Sequence, residues 1–245
     1  LNLQISVVAA TLNEMDNIEI FLDEVEKQLA GYTFEIIIVD DNSRDGTKEY
    51  LAKRMADDEH LRVIENAIRV GMLGSLKMGI DRANGEYCIV MDADLQHPPE
   101  VISRIIDKLQ HGCDIVVGSR YTDGGSAGDR NSYRAILSIG AQYMAYAILP
   151  SSRLTTDPMS GLFGFRMSLN HDFNHRNRFR LTDMGAKILL IILAENRKSR
   201  VCDIGYQFRD RERGKSKIVN GTSFLKRYIS ELLDAFIIDR EWARR

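Results

Sequence analysis

Two carboxylates one residue apart, Asp92 and Asp94, close a short apolar run (YCIVM, residues 87–91), and an amide, Gln96, follows two positions later. Hard oxygen donors at this spacing suit Mg2+ or Mn2+ held jointly with substrate phosphates, and a dication is needed if a diphosphate is to leave. The same Asp-x-Asp would also cap the helix that follows Pro98 and Pro99; its position at the end of a buried strand favours the metal. His97, beside two prolines, reads as structural rather than as a ligand. A second acidic group, Asp40 with Asp41, ends the run FEIIIV at 34–39. Carboxylates at such a strand end accept hydrogen bonds from ribose hydroxyls or base N–H groups. The neighbouring Asp45, Gly46 and Thr47 read equally as turn and N-cap chemistry. Asp157 and Asp183 could each serve as a base or orient one, and turn or cap roles fit them as well. No GxGxxG or GxxxxGK[ST] follows an early strand, so neither a dinucleotide nor a P-loop phosphate cradle is expected.

The elements that would hold these residues alternate strand and helix. Residues 3–10, 34–39, 61–65, 87–91 and 114–118 are short apolar or β-branched runs. Between them, residues 14–30, 47–56, 73–83 and 99–110 carry helical spacing. Continuous apolar strands of this kind belong to a parallel sheet covered on both faces, whose ligands sit beyond the carboxyl ends of the strands. After residue 118 the alternation breaks. A Gly-rich loop (121–131), a helix (132–149), a turn feeding a strand (157–166), a helix (182–195), a strand (199–208), a charged loop (209–217) and a last helix (224–242) complete the chain.

The 245 residues fit one generous α/β domain, and no Pro/Gly/Ser-rich linker argues for two. With 44% hydrophobic residues the chain can build a full core, which excludes disordered and collagen-like classes. A formal net charge of −2 gives no field for nucleic acid. From residue 196 onward, however, there are 13 Lys and Arg against 7 Asp and Glu, a basic tail. The three cysteines, Cys88, Cys113 and Cys202, lack CxxC spacing and read as buried thiols of a reducing compartment. No apolar stretch reaches the length of a membrane span, and no signal peptide is expected.

VVAATLNE (7–14), IIIVDDNSRDGT (36–47), VMDADLQHPPE (90–100), GSRY (118–121), DPMSG (157–161) and RERGKSK (211–217) occur in the order and spacing of glycosyltransferase family 2, of GT-A fold. Within it the chain resembles the dolichyl- or polyprenyl-phosphate mannose and glucose synthases, over residues 3–217. The combination of DADLQHPPE, GSRY and RxxGxSK is specific where each alone is not. Two positions depart from the pattern: Ala10 stands for the usual Pro, and Leu12 for the usual aromatic.

The resemblance implies a Rossmann-like, mostly parallel sheet over residues 1–222, followed by an amphipathic helix at 223–245. It implies that Asn13, Glu14, Asp40 and Asp41 bind the nucleoside of a GDP- or UDP-hexose. Asp92, Asp94 and Gln96 would hold Mg2+ or Mn2+ on the diphosphate, while Arg211, Ser216 and Lys217 close over it. Arg120, Arg134 and Ser138 would bind the phosphate of a polyprenyl or dolichyl acceptor. An acceptor phosphate is already an anionic nucleophile, so such a site needs positioning and charge stabilisation more than a general base. Single in-line displacement would invert the anomeric centre. The last helix carries an apolar stripe (Phe224, Leu225, Tyr228, Ile229, Leu232, Leu233, Phe236, Ile237) that suits core docking and an interfacial position equally. The implied setting is peripheral, at the cytoplasmic face of a membrane, with a transmembrane segment or subunit outside this chain as a further partner. A GT-A enzyme with a soluble sugar or polysaccharide acceptor, and a silent nucleotide-binding subunit, are the alternatives.

Overall fold

A computed structural model describes residues 3–128, 132–172, 188–209, 232, 236–237 and 240. The β-branched runs form β1 (Ile5–Thr11), β2 (Phe34–Asp40), β3 (Leu61–Glu65), β4 (Tyr87–Val90) and β5 (Ile115–Ser119). They are joined by β6 (Phe163–Arg166) and β7 (Val201–Gly205) in one seven-stranded sheet of order β3-β2-β1-β4-β6-β5-β7. All pairings are parallel except those of β6, which lies antiparallel between β4 and β5. The expected mostly parallel α/β sheet is therefore present, with one inverted strand inside it, next to central β4.

Both faces are covered. On one, α1 (Met15–Gln28), α2 (Thr47–Asp57) and α4 (Val101–Gln110) bury their apolar residues in one cluster with the odd-numbered β1 side chains Ile5, Val7 and Ala9. The stripe of α4 shows the pattern: Val101, Ile102, Ile105, Ile106 and Leu109 are all buried, at the i, i+1, i+4, i+5, i+8 spacing of a helix face. On the other face, α3 (Gly71–Ile80) and α6 (Ile188–Glu195) cover Val8, Ile37, Val90, Val117 and Phe163. Every residue of α6 is buried, and its Leu190 and Ala194 share one cluster with Ala141 and Ala145 of α5 (Ser132–Ile148) and with Leu149 just beyond it. Leu232, from the last segment, is fully buried in that same cluster, whereas Ile237 is exposed. The rest of the expected final helix lies outside the described residues.

One expectation is overturned. Cys113 and Cys202 form a disulfide, and only Cys88 is a free, buried thiol. The cause is register: β5 and β7 are parallel neighbours with Val116 beside Cys202, which brings the two Cα atoms to 6.1 Å. Cysteines 89 positions apart carry no local spacing signal, so the reading of three buried thiols does not stand. Among the described residues no helix is long and apolar enough to cross a membrane.

Candidate active site

The carboxyl ends of β1, β2 and β4 lie side by side, with Thr11 level with Asp40 and Val8 level with Val90. Among the described residues, three that are not glycine have left-handed backbone: Asn13 (φ 52°), Asn42 (φ 64°) and Leu95 (φ 63°). Each sits in a loop that follows one of those strands. Asn takes this conformation readily, so only Leu95, beside the carboxylates after β4, is held against its local preference.

The β1–β2 side of the edge is tightly cross-linked. Asp40, fully buried, accepts the backbone N–H of Ser43 at 2.8 Å and the Ser43 hydroxyl. Asp41 accepts from Asn66 Nδ2 (3.1 Å), Val70 N–H (2.8 Å) and Gly71 N–H (3.1 Å), tying the start of α3 to β2. Asn13 Oδ1 accepts Arg44 N–H, while Ser43 Oγ accepts Asn13 N–H. Glu14 donates its N–H to Thr47 Oγ1 and accepts Asn17 Nδ2. Asp45 accepts Met15 N–H and the N–H and hydroxyl of Thr47, so one carboxylate serves the first turns of both α1 and α2. Burial pushes its carboxyl up; the Thr47 hydroxyl and the backbone donors outweigh this and leave it below the usual aspartate value. The turn reading of residues 45–47 is thus realised, whereas the N-cap position of α2 falls on Gly46, in left-handed backbone and with no side-chain cap bond.

Beyond β4, Asp92 is partly exposed. Asp94 Oδ1 accepts Gln96 N–H at 3.1 Å. The Gln96 amide donates Nε2 to Arg209 O at 3.2 Å, which leaves its carbonyl oxygen as the group it can offer a cation. Arg209 N–H returns a bond to Gln96 O, and its guanidinium reaches Glu100 at 2.9 Å. These hard oxygens fit Mg2+ or Mn2+. Among the described residues no group of three His, Cys, Asp or Glu side chains is placed to hold a metal ion.

The third part lies after β5. Arg120, almost wholly buried, forms a two-pronged pair with fully buried Asp157: Nε to Oδ2 at 2.7 Å and Nη2 to Oδ1 at 2.8 Å, with Arg120 N–H on Oδ2 at 3.2 Å. Burial pulls the guanidinium pKa down, but the bonds to Asp157 and its charge outweigh this and raise it above the usual arginine value. The rings of Tyr121 and Phe208 flank the guanidinium carbon at 5.3 and 6.0 Å. Behind it, Asp203 of β7 accepts Thr155 Oγ1 (2.6 Å), Thr156 N–H (2.7 Å) and Thr156 Oγ1 (2.6 Å). Ser119 Oγ lies 2.7 Å from Thr156 Oγ1. A cavity of about 330 Å³ borders this group, lined by Tyr146, Arg153, Leu154, Thr155, Thr156 and Asp203; it touches neither Asp92 nor Asp94. Arg134 and Ser138 fall one turn apart on α5, their side chains outside the described residues, as are Asp183, Arg211, Ser216 and Lys217.

The loop before β6 joins the two halves. Asp157 at its start holds Arg120. At its end a Cβ on Gly161 would stand 3.2 Å from Asp92 Oδ2 and 3.0 Å from His97 Cε1, so the backbone closes on the carboxylate in a way that a larger residue would obstruct. Residues 118–121 and 157–161 are informative in sequence; their pairing, and the roles of Asp203, Tyr206 and Phe208, carry no local signal.

A family model for "Glycosyl transferase family 2" matches residues 6–173, more than half of the chain. The chain belongs to this family. It is 36% identical over 222 residues to a dolichol-phosphate mannosyltransferase of Pyrococcus furiosus, covering 91% of this chain and 61% of that protein. The chain thus spans about three-fifths of that relative's length. Dolichol-phosphate mannosyltransferases of Mycosarcoma maydis and Saccharomyces cerevisiae are 33% and 32% identical, covering 88% and 83% of this chain and 70% and 74% of theirs. Among solved structures, glucosyl-3-phosphoglycerate synthase from Mycobacterium tuberculosis with UDP superposes with a TM-score of 0.70 at 19% identity, covering 95% of this chain and 80% of that one. A mannosyltransferase from Pyrobaculum calidifontis in complex with GDP-Man and Mn2+ gives 0.61 at 18% identity, covering 100% and 65%. At these identities the structural likeness shows the family's GT-A fold.

Proposed function

We propose that this family 2 glycosyltransferase moves a hexose, with inversion, from a sugar nucleotide to a polyprenyl or dolichyl phosphate. The names of its relatives favour mannose, and with it a GDP donor. The observation that carries the reading is the loop at 157–161. It holds Arg120 through Asp157 and closes on Asp92 through Gly161, so an acceptor-anion group and a metal-binding group are set by one short segment.

Asn13, Glu14, Asp40 and Asp41 form the edge on which the nucleoside would rest, the two aspartates acting through the loops they fix. Asp92, Asp94 and Gln96 would hold Mg2+ or Mn2+, which neutralises charge on the departing diphosphate. Arg211, Ser216 and Lys217 would close over that diphosphate. Arg120, Arg134 and Ser138 would orient the acceptor phosphate for in-line attack, and loss of one such preorganised contact typically lowers the rate about 10²- to 10³-fold. The Arg120–Asp157 pair keeps the guanidinium plane fixed before the acceptor arrives.

The catalytic unit would occupy residues 1–222, with 223–245 as an amphipathic helix that docks through Leu232 on the cluster between α5 and α6 and turns its other side, with exposed Ile237, to the membrane surface that carries the acceptor. Residues 196–245 supply the basic character suited to anionic lipid, and a transmembrane partner segment would lie outside this chain. Transfer of labelled hexose from GDP-mannose or UDP-glucose to a short polyprenyl phosphate, with Mg2+, Mn2+ or EDTA, tests the reading. Metal-dependent transfer to a product with a β-anomeric coupling by NMR is expected. Transfer to soluble sugars alone, an α-configured product, or no transfer by folded protein would each reject it.

A further inference from the structure

His97 is buried to within 2% of complete, yet it borders a loop of solvent-facing polar groups. The sheet explains why a polar ring is needed there. Met91 N–H bonds Val8 O of β1, so the next N–H, that of Asp92, faces β6, and the β4–β6 ladder has already ended at Val90 and Phe163, which leaves it without a strand partner. His97 Nδ1 accepts it at 3.1 Å, which puts the ring proton of the neutral imidazole on Nε2. Tyr206 and Phe208, on the segment after β7, meet the imidazole edge-on with centroids at 5.7 and 5.8 Å. Gly161 bounds the slot on another side.

We propose that His97 is a positioning residue for the metal-binding carboxylate: it fixes the backbone of Asp92, and the aromatic pair from residues 206–208 sets the ring that does so. The inference rests on the metal reading of Asp92. A purely space-filling role would be met by an apolar ring, which would leave a backbone donor unpaired beside the site. Partners that orient a ligand from behind characteristically tune affinity for the metal.

The test uses Mn2+ and GDP with the whole chain, following free Mn2+ by electron paramagnetic resonance and metal-free GDP binding by calorimetry. In His97→Asn the side-chain oxygen falls near the place of Nδ1; in His97→Gln the acceptor is one bond too far out; His97→Phe has none. Gln and Phe variants are expected to weaken Mn2+ about 10- to 100-fold, with Asn restoring most of the loss and metal-free GDP binding unchanged. Wild-type Mn2+ affinity in the Gln and Phe variants, or an equal loss in Asn and Gln, would overturn the proposal; the Gln variant decides if the Phe variant does not fold. Asp92→Asn separates the two claims. Abolished Mn2+ binding there, with His97 variants unaffected, refutes the positioning role alone, whereas retained binding refutes the metal reading and this inference with it.

Discussion

Arg120 and Asp157 are 37 positions apart, and each alone looks like a residue with several possible uses. Together they make a buried, two-pronged ion pair in which neither charge is solvated. Breaking it from one side leaves an uncompensated charge, so Asp157→Asn should cost about 3 to 5 kcal/mol in chemical denaturation. Replacing both partners, as Arg120→Met with Asp157→Leu, should recover much of that stability, since a buried pair and an apolar pair are often nearly equivalent. Transfer activity should not return, because the guanidinium would be gone. Recovery of both would show that Arg120 serves the fold only. Gly161 gives a second check. Gly161→Ala puts a methyl 3.2 Å from Asp92 Oδ2, and should weaken Mn2+-dependent nucleotide binding while leaving metal-free nucleotide binding near wild type. Asp92, Asp94 and Gln96 stand out in sequence as candidates because they follow the buried apolar run 87–91 within five residues. The partners of Arg120 and Asp92 were not, because tertiary folding alone brings residues 157, 161 and 206–208 to them.

At the scale of elements, the βα alternation up to β5 follows the apolar runs closely, since continuous burial of both faces leaves little freedom in composition. The reading weakens at β6. Its antiparallel course means that the residues before the strand, not those after it, reach the ligand edge, and a four-residue strand gives no sign of its direction. The loops at the opposite flank depend on hydrogen bonds that pH can remove. Asp45 sits below the usual carboxylate value in the folded chain. Its contribution is therefore fully present above the unfolded pKa of about 3.9 and is lost as pH falls through the lower folded value. The melting temperatures of wild type and Asp45→Ala should differ by a constant amount above about pH 5 and converge below pH 4. A difference that persists in strong acid would refute the assignment.

Across the whole molecule, the edge strand β7 is held twice, by its ladder with β5 and by the Cys113–Cys202 bond. A link between positions 89 apart restricts the unfolded chain, and the chain-entropy estimate for such a loop is about 4 to 5 kcal/mol. Reduction, or Cys113→Ser with Cys202→Ser, should lower the melting temperature accordingly, while Cys88→Ser leaves the reductant effect intact. The same bond makes a closed covalent circuit that includes β5, β6, α6 and the Arg120–Asp157 pair. Within it the glycine-containing stretch at 121–128, exposed at Tyr121, Asp123, Gly124 and Gly128, is an accessible place for a protease. One cut there would open the circuit without dividing the molecule: the fragments should migrate as a single band without reductant and as two with it. The nicked protein would keep its two site halves on one covalent body.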